Sequence, residues 1–182
     1  MKAVLVGCTL LFLSSIAWAQ PPPQQTEDQK RLMDRHKKTM LVLGEKADEI
    51  ETNLPGFKTL SPSEVTELGN SAVYLLKCRA GIPFVEDRLI DLRKRKMTGN
   101  WTSILRIYST VVAVEDIPDK MIPEFVALLE RDKNAKTPNM YYASEFGTRG
   151  KAFLPVLEWI RDNSLNEETI RSVKYVITLI KN

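Results

Sequence analysis

Histidine and cysteine are nearly missing from this chain: 182 residues carry one histidine, His36, and two cysteines, Cys8 and Cys78. Histidine is the usual general base near neutral pH, so acid–base chemistry of that kind would have to run through His36. His36 falls on the apolar stripe of a helical segment, which reads as a packed or rim residue rather than a catalytic one. There is no His-Glu-x-x-His, no pair of Cys-x-x-Cys, no Gly-x-x-x-x-Gly-Lys-Ser/Thr and no Gly-x-Ser-x-Gly. Zinc, a P-loop and the commonest serine nucleophile thereby lose support, and no motif asks for a cofactor. Charge of one sign is lacking too: a net charge of +3 points to no particular partner.

The one long apolar run lies at the start. Lys2 precedes the stretch Ala3 to Ile16, and Ala17-Trp18-Ala19 precedes Gln20. A basic start, an apolar middle and small residues at the end predict a signal peptide over residues 1–19, cleaved between Ala19 and Gln20, and a periplasmic or secreted product. The run is shorter than the roughly 20 residues that a membrane span needs. Leu5-Val6-Gly7-Cys8 resembles a lipobox with Cys8 acylated, but the apolar run continues for eight residues beyond Cys8, where a lipobox should close it. Removing residues 1–19 takes Lys2, so the 26 basic residues become 25 against 23 acids, a balance of +2. It also leaves Cys78 as the sole cysteine, which excludes an intrachain disulfide. Cys78 flanks an apolar helical stripe, so inert burial is favoured over a reactive thiol.

Residues 20–25, with Pro21-Pro22-Pro23, read as a solvated linker that cannot continue a helix. From Thr26 to Asn53, Leu32, His36, Met40, Leu43, Ala47, Ile50 and Leu54 recur at steps of three and four, which predicts a long amphipathic helix. Pro55-Gly56 breaks it. Ser61-Pro62-Ser63-Glu64 offers an N-cap, a proline at the first helical position and a capping-box glutamate for a second helix. That helix has Val65, Leu68, Ala72, Leu75 and Leu76 inward and ends near Gly81. Later starts are marked by Pro83, Pro123 and Pro155, with further helices expected over Asn100 to Val114, Pro138 to Phe146 and Asn166 to Ile180, the last capped by Ser164 with Glu167. Ile104 to Val114 is rich in β-branched residues, but a single strand would have no partner for its backbone, so helix is favoured there. The expectation is an all-α domain over residues 26–182 with eight helices.

An internal repeat runs through the second half. Met121-Ile122-Pro123-Glu124-Phe125-Val126-Ala127-Leu128-Leu129-Glu130-Arg131-Asp132 aligns with the segment Phe153-Leu154-Pro155 to Arg161-Asp162, which is two residues shorter, and Ile82-Pro83-Phe84-Val85 to Asp91 is a looser copy. Spacings of 30 to 40 residues are those of two-helix solenoid repeats. Apolar-Pro, an apolar helix, an Arg-Asp turn and a second helix, with the lead-in Phe146-Gly147-x-x-Gly150-Lys151-Ala152, resemble HEAT-type repeats over about residues 81–182. The resemblance implies a short right-handed array of antiparallel helix pairs, with units near 81–120, 121–152 and 153–182. The alternative is an irregular helical bundle in which prolines merely start helices.

Candidate sites follow from this frame. The resemblance implies that the second helix of each unit lines the inner face, which nominates Arg106, Arg171, Lys174 and Tyr175 for contact with a protein or peptide partner. On the last helix Ile170, Val173, Ile177 and Ile180 are the expected core stripe. Trp101, Tyr141, Tyr142, Trp159 and Tyr175 are read mostly as core, with Trp159 the firmest member. Arg93-Lys94-Arg95-Lys96 is either a patch for anionic surfaces or a solvated helix end, with Asp87 and Asp91 pairing Arg95 and Arg88. Glu115, Asp116 and Asp119 cluster in a loop without the ligand spacing of a calcium site. Glu167 and Glu168 suit the first turn of a helix. Asn100-Trp101-Thr102 is a glycosylation sequon. A non-catalytic interaction module is the leading reading, with no nucleic acid and no membrane span. A binder of small apolar ligands and an enzyme built on carboxylates or Cys78 are the other readings.

Overall fold

The computed structural model describes residues 26–53, 60–95 and 98–182, with side chains placed except at 48–53 and 98–100. The predicted signal peptide with its Ala19–Gln20 cleavage site, the proline linker, Pro55-Gly56, the side chain of Ile50, Leu54 and Lys96 therefore lie outside the described residues. Those residues form eight α-helices and no strand: α1 Glu27–Asn53, α2 Pro62–Lys77, α3 Ile82–Lys94, α4 Thr98–Val111, α5 Ile122–Asp132, α6 Tyr141–Glu145, α7 Leu154–Asn163 and α8 Glu167–Lys181. None of the helices searched is long and apolar enough to cross a membrane. Neighbours in sequence are neighbours in space: α1 packs on α2, α2 and α3 on α4, α3 on α5, α5 on α6 and α7, and α8 on α6 and α7.

Local chemistry accounts for the starts. At α2, Ser61 Oγ accepts from the Glu64 amide and the Glu64 carboxylate accepts from the Ser61 amide at 2.9 Å, so two helix-end donors are satisfied reciprocally. α3, α5 and α7 share one device: a 3₁₀ segment (Arg79–Gly81, Asp119–Met121, Gly147–Phe153) runs directly into a helix that carries proline in its first turn. The junction residues Gly81, Met121 and Phe153 have φ of −89°, −92° and −79°. All three are buried. The sequence repeat thus marks a repeated backbone turn. Gly81 needs its hydrogen because a Cβ there would run into the Leu75 carbonyl. The second helices are less alike, at 14, 5 and 15 residues for α4, α6 and α8.

The core is one cluster running through all the helices, centred on Leu75, Leu89, Leu105, Phe125, Phe153, Leu157 and Val173. Each such side chain contributes about 1.5–3 kcal/mol relative to exposure. The β-branched segment from Ile104 is helical as expected.

Several expectations are corrected. The helix expected over Pro138 to Phe146 shrinks to α6, because buried Pro138 offers no N–H and Asn139 Oδ1 instead accepts from the Tyr141 amide at 3.0 Å. Beyond it, Gly147 takes φ 49° and ends the turn. The cap of α8 is Asn166, whose side chain accepts from the amides of Glu168 and Thr169, rather than Ser164 with Glu167. Leu32 and Val65 are exposed, whereas Leu68 is buried in the core and Met33 packs against it. Thr169 and Val176 join Val173, Ile177 and Ile180 in the stripe of α8, and Ile170 is only half-buried. Trp159 is not core: it is 37% exposed, with the Lys133 ammonium 4.5 Å from its ring centroid.

Two buried acids fasten the middle of the fold. Glu86 on α3 accepts from the Tyr108 hydroxyl on α4 at 2.8 Å and from Lys120, just before α5, at 2.9 Å. Glu124 on α5 accepts from the Trp101 indole on α4 at 2.8 Å and from Arg93 on α3 at 2.6 Å. The acid and the cation exchange helices between the two sets. A buried carboxylate is tolerated because each has a charge partner and a neutral donor.

Candidate functional site

The nominated residues sit on α4 and α8, with α6 between them, and each of the three helices is anchored from behind. Buried Trp101, Ile104, Leu105 and Tyr108 fix α4 and leave Arg106 exposed one residue further round. Ala143 and Phe146 hold α6 down, and the Tyr142 hydroxyl donates to Ser109 Oγ on α4 at 2.6 Å. The buried stripe of α8 fixes its rotation, and the Thr169 hydroxyl donates to the Lys136 carbonyl at 3.3 Å.

α6 divides two adjacent grooves. The first, of about 310 Å³, lies against α4 and α5 and is lined by Arg106, Ser109, Asp132, Asn139 and Tyr142 over Phe125 and Leu128. The second, of about 590 Å³, lies between α6 and α8 and is lined by Met140, Tyr141, Ser144, Arg171, Ser172, Tyr175 and Val176. Tyr141 is 54% exposed and Tyr175 65% exposed. The fold thus brings Arg171 and Tyr175 into one groove and sets Arg106 in the next. Lys174 does not join them. It is exposed on α8, but it lies about 100° around the helix from Tyr175, away from the groove.

Tyr141, Ser144, Ser172 and Asn139 are the groove residues that sequence reasoning passed over, Tyr141 because it was grouped with core aromatics. The doublet Tyr141-Tyr142 carried the signal: adjacent helical residues diverge by about 100°, so both rings cannot enter one core. The rings meet edge-on at 5.2 Å between centroids, with Tyr142 turned towards Phe125 at 4.7 Å.

The basic end of α3 is put to structural use. Arg93 turns in to Glu124, and Arg88 and Arg95 both pair with Asp91, at 2.9 and 3.4 Å. The expected Asp87–Arg95 pair does not form, because Asp87 faces Lys120 at 3.4 Å. Lys94 is exposed. Asp119 leaves the acidic loop cluster to pair with Arg149 at 2.8 Å, while Glu115 and Asp116 are exposed. Among the described residues no group of three or more His, Cys, Asp or Glu is placed to hold a metal. Cys78 is half-buried. Of the sequon, Trp101 and Thr102 are buried and Thr102 accepts from Arg131.

Among the described residues, His36 and Ser71 make a contact that resembles a catalytic pair, with Nδ1 3.1 Å from Oγ at the edge of an open 650 Å³ cleft between α1 and α2. Ser71 is 1% exposed and the His36 ring stacks on Tyr74 at 4.3 Å, so the contact ties α1 to α2 and presents no accessible nucleophile. In the layer behind the grooves, burial, then the hydrogen bond to Glu86, pushes the Tyr108 phenol far above its ordinary range. Lys120 is also raised, chiefly by its hydrogen bond to Glu86. Compared with known proteins, the chain matches no family model, no curated protein and no solved structure.

Proposed function

We propose that the chain is a non-catalytic, exported helical-repeat protein that binds an extended segment of a protein or peptide along the face made by α4, α6 and α8. The reading takes α3–α4, α5–α6 and α7–α8 as a short right-handed HEAT-like array with the second helices inward. The observation that carries it is the pair of adjoining grooves on either side of α6, with Arg106, Tyr141, Arg171 and Tyr175 exposed along them. Exposed tyrosine and arginine on a rigid helical support suit recognition, because tyrosine offers a large contact area at little rotamer cost. The described lining residues include no histidine or cysteine, which supports binding over group transfer.

A crosslinking pull-down of residues 20–182 from the native envelope tests this reading. Arg106→Glu, Arg171→Glu and Tyr175→Ala together should reduce capture at least about tenfold, with the melting temperature unchanged because all three side chains are exposed. Full capture by that variant, with loss on Lys94→Glu and Lys96→Glu, would move the site to the end of α3.

A further inference from the structure

We infer that the outer face of α1 docks flat on an anionic lipid surface, a contact that uses none of the residues of the peptide-binding face just proposed. Lys30 to Lys38 holds five cations and one acid, Asp34, in a chain whose net charge is only +3. Met33, Met40, Leu43 and Ala47 turn inward to the core and fix the rotation of α1. Arg31, Arg35, Lys38 and Val42, at steps of four, three and four, then share the opposite side, and all four are exposed.

The cations of this stripe are uncommitted. Lys30 pairs with Glu27 at 2.9 Å and Lys37 with Asp34 at 4.0 Å, whereas among the described residues Arg31, Arg35 and Lys38 form no ion pair. The end of α3 is the opposite case, since Arg88, Arg93 and Arg95 there are all taken up by carboxylates. A cation close to an anionic bilayer favours binding by about fivefold, so three together contribute on the order of a hundredfold.

What lies among the charges selects lipid over a soluble polyanion. Val42, in line with the cations, is 53% exposed, and Leu41 beside it is 40% exposed. Against a hydrated polyanion both would stay in water. At a bilayer surface they enter the headgroup layer while the cations meet the phosphates, the arrangement of a helix lying in the interface. Asp28 and Glu45, exposed at the two ends of the stripe, confine the contact to about three turns.

Co-sedimentation of residues 20–182 with vesicles of phosphatidylglycerol mixed with phosphatidylcholine, and with vesicles of phosphatidylcholine alone, tests it. Binding should require the anionic lipid and fall at least about tenfold between about 0.1 and 1 M salt, as the screening length shortens from about 10 to 3 Å. Arg31→Gln, Arg35→Gln and Lys38→Gln together should weaken it about a hundredfold, with the melting temperature unchanged because all three side chains are exposed. Leu41→Ser with Val42→Ser should weaken it at least about fivefold, and Glu45→Lys should tighten it. No binding to either vesicle, or binding that survives loss of the three cations, overturns the inference. So does binding abolished by Lys94→Glu with Lys96→Glu but not by the α1 changes. Vesicle binding indifferent to the Leu41 and Val42 substitutions, matched by equal binding to polyphosphate, would make this a polyanion face and overturn the assignment to lipid.

Discussion

Trp101 and Tyr108, two turns apart on one face of α4, each donate a 2.8 Å hydrogen bond to a buried carboxylate, Trp101 to Glu124 and Tyr108 to Glu86. The helix that carries Arg106 is thereby held at two points against α3 and α5. A carboxylate taken out of water keeps its charge only with such partners, so these bonds matter more when broken than when made.

Glu124→Ala should cost about 3 kcal/mol, because it strands the buried Trp101 indole N–H and removes the partner of Arg93. For a domain of this size that lowers Tm by about 6–12 °C. Trp101→Phe, which gives up only one of the two bonds to Glu124, should cost about half as much. Thermal melts followed by circular dichroism measure both.

Stability should fall in alkali through Tyr108 and Lys120. Both are raised in the folded state, Tyr108 by burial and Glu86, Lys120 by Glu86. A raised group contributes fully below its unfolded value, near 10 for tyrosine, and loses that contribution as pH climbs towards the folded value. Urea unfolding should therefore give a free energy that holds from neutral pH to about pH 10 and declines above it. Tyr108→Phe should lower the plateau and flatten the decline, and phenolate absorbance should show one tyrosine that ionises only on unfolding.

The acid limb has a different origin. Glu64 is held at about 2, below its ordinary 4.5, first by the hydrogen bond to Lys46 and then by the Ser61 backbone. A lowered group stabilises above its unfolded value, and that contribution drains away as pH drops from about 4.5 to 2. Lys46→Met should lift the carboxyl titration seen by NMR towards the ordinary range. It should also flatten the acid dependence of stability between those values.

Two glycines should respond differently to alanine. Gly81→Ala meets backbone, the Leu75 carbonyl, and should cost more than about 2 kcal/mol. Gly44→Ala meets the end of the Arg88 side chain at 2.8 Å, a group that can shift, and gains about 1 kcal/mol of helix propensity. Its net effect should lie within about 1 kcal/mol of zero. Urea unfolding curves of the two variants decide it.

Helices were readable wherever apolar spacing and a capping signal agreed, as at Ser61–Glu64 and at the three prolines, because those signals are local. The rotation of each helix was less so. Trp101 and Trp159 both lie on helices with apolar neighbours, yet one is buried and the other capped by a lysine. The difference lies in partners far along the chain, Glu124 and Lys133. The same limit explains the site. Arg171 and Tyr175 come to line one groove, whereas Lys174, one step away on the helical turn, does not, a difference that spacing along the last helix alone does not resolve. The groove itself depends on the shortness of α6, which is set by buried Pro138, the Asn139 turn and Gly147.

The exchange of acid and cation between α3 and α5 has a mechanical consequence. Glu86 with Lys120 and Glu124 with Arg93 point across the same interface in opposite senses. If α5 slid along α3, the Glu86–Lys120 and Glu124–Arg93 pairs would both be strained. The centre of the molecule is therefore stiff to shear, like a joint pinned twice. Among the described residues α1 and α2 are tied by the His36–Ser71 contact and the more exposed Lys46–Glu64 pair, with no buried carboxylate between them, so bending under load should concentrate there, leaving the spacing of α4, α6 and α8 undisturbed.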